Sequence, residues 1–241
     1  MVSAIVLAGG RGKRMGSVQS KQYIDLDGKP ILYYTLKQFI RNDLIDKIVL
    51  VIPEDERDYC KNEVLDKYEL IVDSVVFGGK ERQDSVYNAL VQLEDSDIVL
   101  IHDGARPFVS QRIINEAIEY ARIYKATAPG VMPKDTIKIK DENNFSVDTL
   151  IRNNLVAIQT PQAFNFNIIY ECHKKVKERG IIVTDDTMVV ELFGHKVYIY
   201  EGDYTNIKIT TQEDLILAEY LVKKQYNDNI LTGKIQEVII N

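Results

Sequence analysis

The stretch Leu7-Ala-Gly-Gly-Arg-Gly-Lys-Arg-Met-Gly16 constrains the fold of this chain more than any other segment. Residues 1–8 form a short apolar run rich in Val and Ile, which is typical of a buried parallel strand. The four glycines that follow let the backbone turn and approach a ligand without Cβ atoms in the way. Because Arg11, Lys13 and Arg14 lie among them, the stretch offers main-chain N–H groups and positive charge together. The sequence therefore predicts a polyphosphate-binding loop after the first strand.

Two commoner glycine motifs do not fit this stretch. A dinucleotide fingerprint that uses Gly10 and Gly12 needs a third glycine where Met15 stands. A Walker loop needs Ser or Thr after its Gly-Lys pair, but Lys13 is followed by Arg14. Taken alone, the stretch also fits a glycine-rich turn with solvated basic side chains, so the rest of the chain must decide.

The composition of the chain limits the classes of partner that it is expected to bind. The chain has 241 residues and a net charge of -6, which argues against nucleic acid or an anionic membrane surface as the main partner. A local basic loop in an acidic protein suits a small anionic ligand better. Cys60 and Cys172 are far apart in the sequence and the three histidines are scattered, so neither a disulfide framework nor a zinc site is indicated. No apolar stretch reaches the roughly 18 residues that span a bilayer, and we expect a cytoplasmic protein.

Strand and helix patterns alternate along most of the chain. Buried-strand patterns occupy 47–52, 70–77 and 97–102, and helical patterns occupy 30–40, 55–67, 84–93 and 110–124. This rhythm predicts an α/β fold with an open, mostly parallel sheet and helices on both faces. We expect one domain over 1–225, followed by an extension, 226–241, of unknown role.

After residue 133 the pattern changes. Alternating polar and apolar residues and the turn 141–144 predict a β-hairpin arm over about 134–157. An isolated two-stranded ribbon is marginally stable, so a partner subunit is expected to cover it. Further helices are predicted at 165–177 and near 185, a strand at 196–200, and a helix after a Thr211/Asp214 capping box.

Three loops follow predicted strand ends and should meet at one edge of the sheet. They are the glycine stretch, Gly78-Gly79 and the turn from Asp103 to Arg106. Asp103 could hold Mg²⁺ against phosphates or simply form the turn. His102 is predicted to be a satisfied core histidine. With several cations, one or two carboxylates and a glycine cradle, the chemistry indicated is phosphoryl or nucleotidyl transfer without a covalent nucleophile.

The motifs, taken in order, resemble the 2-C-methyl-D-erythritol 4-phosphate cytidylyltransferase family. The segments that carry the resemblance are Leu7–Gly16, Lys21-Gln22-Tyr23, Gly78-Gly79 with Glu81-Arg82 and Asp84-Ser85-Val86, His102–Pro107, Lys134-Asp135-Thr136, Gln159–Gln162, Thr184-Asp185-Asp186 and Asn206–Thr210. The resemblance implies a Rossmann-like nucleotidyltransferase fold and a homodimer joined by the β-hairpin dimerisation arm. It also implies dependence on Mg²⁺ or another divalent cation, and transfer of CMP from CTP to a polyol phosphate.

The resemblance also implies roles for individual residues. Arg14, Lys21 and Lys208 would be catalytic, the first two on the triphosphate and Lys208 on the reacting phosphates. The residues implied in nucleotide binding are Ala8, Gly9, Gly10, Gly12, Gly79, Ser85, Asp103 and Gly104. The residues implied in binding the polyol phosphate are Asp103, Arg106, Thr136, Arg152, Thr160 and Thr184. Asp103 would also hold the metal, and Arg152 would reach the partner's site.

Two positions depart from the family pattern. Ser20 stands where the family usually has proline, so the loop that carries Lys21 is expected to be looser, and Lys80 replaces a residue that is often acidic. Ribitol 5-phosphate cytidylyltransferase is the nearest alternative, but Lys134–Lys138 and Thr184–Asp186 resemble the methylerythritol enzyme more. A nucleotide-binding module without catalysis is a further alternative, and a nicotinamide dehydrogenase is disfavoured by Met15.

Overall fold

The computed structural model describes residues 1–10 and 20–224. Gly12 and Arg14 of the glycine loop, and the C-terminal extension 226–241, lie outside the described residues. The strands are β1 Val2–Leu7, β2 Asp25–Leu26, β3 Lys29–Pro30, β4 Lys47–Ile52, β5 Ser74–Phe77, β6 Ile98–Asp103, β7 Ala126–Val131, β8 Lys138–Lys140, β9 Ser146–Thr149, β10 Ala157–Ile158, β11 Gln162–Asn165 and β12 Tyr198–Glu201. The α-helices are α1 Ile31–Ile40, α2 Arg57–Tyr59, α3 Arg82–Leu90, α4 Gln111–Tyr124, α5 Phe166–Arg179, α6 Asp186–Glu191 and α7, which covers 212–224.

Within the described residues, the main sheet has eight strands and a parallel centre. Its order runs β5, β4, β1, β6, β11 and β7, and β7 also pairs with β10 and β12. Strands β5, β4, β1 and β6 are parallel, as is the β12–β7 pair, whereas β10 and β11 run antiparallel to their neighbours. The predicted mostly parallel sheet is confirmed, with the antiparallel strands added after β7.

Register aligns the two central strands at their carboxyl ends. Val6 of β1 lies opposite His102 of β6, and Leu7 lies opposite Asp103. Both strands are almost completely buried, which explains their continuous apolar sequence. The glycine loop and the Asp103 turn therefore start side by side.

Helices cover both faces of the sheet, as predicted. Ala4 and Val6 of β1 face one core, which contains side chains of α1 and α4. Ile5 between them faces a second core, which contains side chains of α3, α5 and α6. This alternation follows from the two-residue repeat of a strand. A smaller cluster joins α7 to the start of α1 through Ala218, Val222 and Ile31.

The predicted helix starts agree well with the structure. Ser110 caps α4 by accepting from Ile113 N–H at 3.3 Å, and Asp185 caps α6 by accepting from Met188 N–H at 3.0 Å. The Thr211/Asp214 capping box is confirmed, since Asp214 N–H donates to Thr211 Oγ1 at 3.3 Å and Thr211 N–H donates to Asp214 Oδ2 at 2.9 Å.

Two predicted elements differ from the structure. The helix expected over 55–67 consists of a 3₁₀ turn at Glu54–Glu56, one α-helical turn at Arg57–Tyr59 and a π-helical segment at Cys60–Asp66. The strand expected over 70–77 is shorter, because ladder pairing with β4 begins only at Ser74 and Ile71 is exposed.

The hairpin is present and projects from the domain. Within the described residues, β8 and β9 pair only with each other, and every residue of both strands is exposed. Its apolar side chains include Phe145, Val147 and Ile151, each at least 64% exposed. Among residues 1–10 and 20–224, no helix combines the length and the apolar character needed to cross a bilayer.

Candidate active site

A cleft of about 450 Å³ lies where the three predicted loops meet. Residues from the glycine loop, from the Gly78-Gly79 turn and from the end of β6 line it, so the predicted convergence is confirmed. The lining residues are Leu7, Gly9, Gly10, Lys21, Gly79, Lys80, Glu81, Arg82, Ser85, Asp103, Ala105 and Lys208.

The two loops that follow β1 and β6 approach each other closely beside the cleft. Gly104 N–H donates to Leu7 O at 2.8 Å, which joins the start of the Asp103 turn to the end of β1. A Cβ atom on Gly104 would lie 2.9 Å from that carbonyl oxygen and 3.2 Å from Ala8 Cβ. Glycine is therefore required at position 104 for steric reasons. Ala8 and Gly104 are both buried, and neither is among the residues that line the cleft.

The Gly78-Gly79 turn is held by the start of α3. Gly79 N–H donates to Ser85 Oγ at 3.0 Å, and Ser85 Oγ donates to Glu81 O at 3.2 Å. A Cβ atom on Gly79 would lie 2.3 Å from Asp84 Cβ, so a side chain there would force the turn open. Ser85 thus lines the cleft and also fixes the glycine turn beside it.

Asp103 is the centre of the charges in the cleft. Lys208 Nζ lies 2.8 Å from Asp103 Oδ2, Arg106 Nε lies 3.5 Å from the same oxygen, and Arg82 Nε lies 3.8 Å from Oδ1. Burial alone would raise the pKa of Asp103, but the three cations, Lys208 foremost, hold that pKa well below its usual range. The carboxylate is therefore ionised across the pH range in which proteins work.

Lys208 reaches the cleft because its segment is pinned to the loop after β6. Ile209 N–H donates to Ala105 O at 2.9 Å, and Arg106 Nη1 donates to Asn206 O at 2.7 Å. Asn206 is fully buried and donates from Nδ2 to Thr160 O at 2.9 Å. These bonds bring a residue from the last fifth of the chain beside a carboxylate at its middle.

His102 and Thr160 support Asp103 from behind. His102 Nε2 lies 3.1 Å from the Arg106 carbonyl oxygen, which can only accept, so Nε2 carries the proton and Nδ1 accepts from the Thr160 hydroxyl at 3.0 Å. Thr160 Oγ1 in turn accepts from Asp103 N–H at 3.1 Å. Burial lowers the pKa of His102 to about 4, which confirms a neutral, satisfied core histidine. The Thr160 side chain is 4% exposed and its proton is already donated, so direct contact with a substrate stays a prediction.

Lys21 lines the cleft and begins a short 3₁₀ turn, Lys21–Tyr23. The neighbours on both sides are bonded to one carboxylate: Ser20 Oγ donates to Glu56 Oε1, and Gln22 Nε2 donates to Glu56 Oε2 at 2.9 Å. The serine in place of proline predicts a looser loop. In the structure Ser20 is buried and its hydroxyl is bonded to Glu56, a bond that proline could not make.

Arg82 and Asp186 are functional candidates that the sequence alone did not single out. Arg82 Nη2 lies 2.7 Å from Asp186 Oδ2, and His173 Nε2 lies 3.1 Å from the other carboxylate oxygen. Each residue belongs to an element that the sequence predicts, but their contact depends on how α3, α5 and α6 pack. The only signal in the sequence was their place in the Glu81-Arg82 and Thr184–Asp186 motifs.

Three predicted substrate contacts lie elsewhere on the described chain. Arg152 Nη2 donates to Thr136 Oγ1 at 3.2 Å, and both residues are exposed on the arm. Thr184 is exposed and its hydroxyl lies 3.6 Å from Met188 Sδ. None of the three lines the cleft, so their roles stay predictions, and so does the reach of Arg152 into a partner's site.

Within the described part of the chain, no group of three or more His, Cys, Asp and Glu side chains could hold a metal ion. Asp103 and Glu81 are the two carboxylates among the described residues that line the cleft. That donor set fits Mg²⁺, which proteins often bind through one or two carboxylates while substrate phosphates and water complete its shell. It does not fit a metal that needs an all-protein cage.

Comparison with known proteins identifies the family. The family model for IspD, 2-C-methyl-D-erythritol 4-phosphate cytidylyltransferase, matches residues 2–224. The chain belongs to this family. It is 81% identical to the 2-C-methyl-D-erythritol 4-phosphate cytidylyltransferase of Clostridium beijerinckii, with 92% of this chain and 99% of the relative covered. The corresponding Clostridium botulinum (strain Eklund 17B) protein is 63% identical over 93% of this chain and 100% of its own length.

Solved structures of the IspD family share the fold. The 4-diphosphocytidyl-2C-methyl-D-erythritol synthase of Anaerococcus prevotii superimposes with a TM-score of 0.82 at 38% identity, covering 92% of this chain and 96% of that one. The Francisella tularensis 2-C-methyl-D-erythritol 4-phosphate cytidylyltransferase gives a TM-score of 0.76 at 33% identity, covering 91% and 98%. The Rossmann-like nucleotidyltransferase fold predicted from the sequence is confirmed.

Proposed function

We propose that the chain transfers CMP from CTP to 2-C-methyl-D-erythritol 4-phosphate, giving 4-diphosphocytidyl-2-C-methyl-D-erythritol and pyrophosphate, in the non-mevalonate route to isoprenoids. One observation carries the mechanism: Lys21, Lys208 and Arg82 line the same cleft as the glycine loops, and Lys208 and Arg82 also lie beside the carboxylate of Asp103. Such an arrangement neutralises phosphate charge and needs no covalent nucleophile.

The glycine loop and the Gly78-Gly79 turn would seat the nucleotide. A Cβ atom on Gly9 would meet nothing within 4 Å, whereas one on Gly10 would lie 3.5 Å from Lys21 Cε. Main-chain N–H groups in such a loop can bind phosphate oxygens directly. Gly79 and Ser85 would lie beside the base or ribose, with Ala8, Gly12 and Gly104 completing the nucleotide site.

Charge neutralisation would fall to the lysines and to Arg14. Lys21 would bind the triphosphate with Arg14 and stabilise the negative charge that gathers on the departing pyrophosphate. Lys208 would contact the acceptor's phosphate as one of its oxygens attacks the α-phosphorus in line, while the bond from that phosphorus to the pyrophosphate oxygen breaks. Preorganised cations of this kind supply much of the catalysis in phosphoryl transfer.

Asp103 and Arg106 would orient the acceptor, and Asp103 would also hold the metal ion. When bound, Mg²⁺ or another divalent cation would neutralise part of the charge on the triphosphate. Thr160 and Thr184 are proposed to complete the polyol phosphate pocket.

We also propose that the protein is a homodimer joined by the arm. The arm residues 138–149 are exposed along their length and carry apolar side chains such as Phe145 and Val147. A surface of this kind is typical of an interface. Arg152 and Thr136 at the base of the arm would then complete the acceptor site of the partner.

The cytoplasm is the proposed compartment. Cys60 and Cys172 are both buried free thiols, as is usual where glutathione keeps cysteines reduced. Fractionation of the source cells with antibody detection would test it.

Turnover with defined acceptors tests the function. The purified protein is incubated with CTP and Mg²⁺, together with either 2-C-methyl-D-erythritol 4-phosphate or ribitol 5-phosphate, and released pyrophosphate is measured. We expect release with the first acceptor. Release with ribitol 5-phosphate alone would assign the chain to the alternative reaction, and calorimetric binding of CTP without any release would identify a non-catalytic nucleotide-binding module.

A further inference from the structure

We propose that Arg82 is a positioning residue that allows Lys208 to exchange Asp103 for a ligand phosphate. The inference rests on the proposed function of the cleft and goes beyond it, since it assigns a role to a residue outside the predicted set. It depends on the geometry of three cations, Lys208, Arg106 and Arg82, around the two buried carboxylates of Asp103 and Asp186.

The bond between Lys208 and Asp103 competes with the proposed contact between Lys208 and a phosphate. The Lys208 ammonium lies 2.8 Å from Asp103 Oδ2, and its side chain is 38% exposed toward the cleft. A lysine carries a single ammonium on a flexible stem. To contact a reacting phosphate closely, it must give up at least part of its bond to Asp103.

When Lys208 moves to a phosphate, the Asp103 carboxylate loses one of its cationic partners. The Asp103 side chain is 11% exposed, and a buried carboxylate that loses its partner is strongly disfavoured. Arg106 Nε at 3.5 Å covers Oδ2, but Oδ1 has Arg82 Nε at 3.8 Å. Arg82 therefore supplies the positive charge on the side of Asp103 that Lys208 and Arg106 do not cover.

Arg82 is held by Asp186 and therefore stays in place rather than moving to the phosphate itself. Its Nη2 is 2.7 Å from Asp186 Oδ2, and the Asp186 side chain is 1% exposed. His173 Nε2 at 3.1 Å and the Asp186 N–H bond to Gln162 Oε1 at 3.0 Å hold that aspartate in turn. The guanidinium fork thus binds Asp186 with one nitrogen and faces Asp103 with another, which a lysine could not do.

The consequence is a specific energetic coupling between Arg82 and Lys208. Without Arg82, Asp103 would hold Lys208 more tightly, and the lysine would bind phosphate less well. Removing Lys208 as well should abolish this effect, because there is then no lysine left to release. A double-mutant cycle isolates such a coupling from general effects on the fold.

The test compares wild type, Arg82→Gln, Lys208→Ala and the double variant in two measurements. The first is turnover with CTP, Mg²⁺ and 2-C-methyl-D-erythritol 4-phosphate. The second is calorimetric affinity for that polyol phosphate, which needs no turnover. We expect Arg82→Gln to lower kcat by about tenfold with little change in KM for CTP, to weaken polyol phosphate binding, and to have little effect in the Lys208→Ala background.

Controls separate this role from a structural one. Arg41→Gln removes an equal charge from an exposed residue at the end of α1 and should leave both measurements unchanged. Arg82→Lys should fall between wild type and Arg82→Gln. Since Arg82→Gln leaves Asp186 with His173 alone, the pair Arg82→Gln/Asp186→Asn, which removes both charges, serves as a second variant in the same cycle.

Equal losses from Arg82→Gln in the wild-type and Lys208→Ala backgrounds would overturn the inference, as would unchanged binding and turnover in both Arg82 variants. A wild-type protein that binds the polyol phosphate but releases no pyrophosphate would refute the proposed function. The binding cycle would still decide the role of Arg82.

Discussion

Lys208 Nζ lies 2.8 Å from Asp103 Oδ2, so a lysine from the segment after β12 is bonded to the last residue of β6. This bond pairs the positive charge of Lys208 with a carboxylate of the protein itself. It also places the lysine next to the glycine loop, where phosphate would enter. Ligand binding at this site is therefore an exchange of ionic partners rather than the simple filling of a positive pocket.

Replacing Lys208 should damage turnover far more than stability. Its side chain is partly exposed, and Asp103 retains Arg82 and Arg106, whereas the reacting phosphates lose a preorganised cation. We expect Lys208→Ala to lower kcat by roughly 10²–10³-fold, with little change in the thermal unfolding midpoint. Lys196→Ala, an exposed lysine before β12, is the matched control. Unfolding at ordinary temperature would show that Lys208 is structural.

Glu56 should control the loop that carries Lys21. It accepts from Ser20 and Gln22 on either side of that lysine. We expect Glu56→Gln to lower kcat/KM for CTP by about tenfold, because the loop loses its charged acceptor while Lys21 itself is unchanged. Asp58→Asn, an exposed acidic residue two positions later, should be neutral. Equal kinetics in both variants would argue against a role for this carboxylate.

Gly79→Ala and Gly9→Ala should differ in their effect on the fold. A methyl group on Gly79 would lie 2.3 Å from Asp84 Cβ, whereas one on Gly9 would meet nothing within 4 Å. We expect Gly79→Ala to lower the free energy of unfolding by about 1–3 kcal/mol and to raise KM for CTP. Gly9→Ala should leave unfolding unchanged and affect only nucleotide binding, as followed by denaturant unfolding and calorimetry. Equal stability in the two variants would contradict the steric argument.

Mixing two inactive variants should restore activity if the arm completes the partner's site. Lys208→Ala and Arg152→Ala subunits in a mixed dimer leave one of two sites with both residues intact. Random reassociation of equal amounts should therefore recover about a quarter of wild-type turnover. No recovery, in a mixture shown by mass spectrometry to contain mixed dimers, would place Arg152 in its own subunit's site or outside any site.

The sequence predicted the part of the site that depends on sheet topology. Gly9, Gly79 and Asp103 follow the ends of parallel strands, so their convergence could be derived from the strand and helix pattern. Lys208 could not be derived in this way. Its position depends on hydrogen bonds from Ile209 to Ala105 and from Arg106 to Asn206, and such bonds leave no periodic pattern in the sequence. The prediction that Lys208 belongs to the site rested only on the family resemblance.

The charges behind the site were harder still to predict. Arg82, Asp186 and His173 belong to three helices whose packing decides whether they touch. The role of a hydroxyl such as that of Thr160 depends on which neighbours it already bonds. Similarly, a serine in place of proline at position 20 predicts a looser loop, because the sequence does not reveal that Glu56 lies within hydrogen-bond distance of it.

The alignment of Leu7 with Asp103 across β1 and β6 affects how the sequence of such a site can change during evolution. The starting points of the two loops are set by the ladder of the sheet and by the bond from Gly104 N–H to Leu7 O, not by the loops' own sequences. Insertions or replacements further along either loop leave that spacing unchanged. The chain can therefore accept a change at a position such as Ser20 while the distance from the start of the glycine loop to Asp103 stays the same.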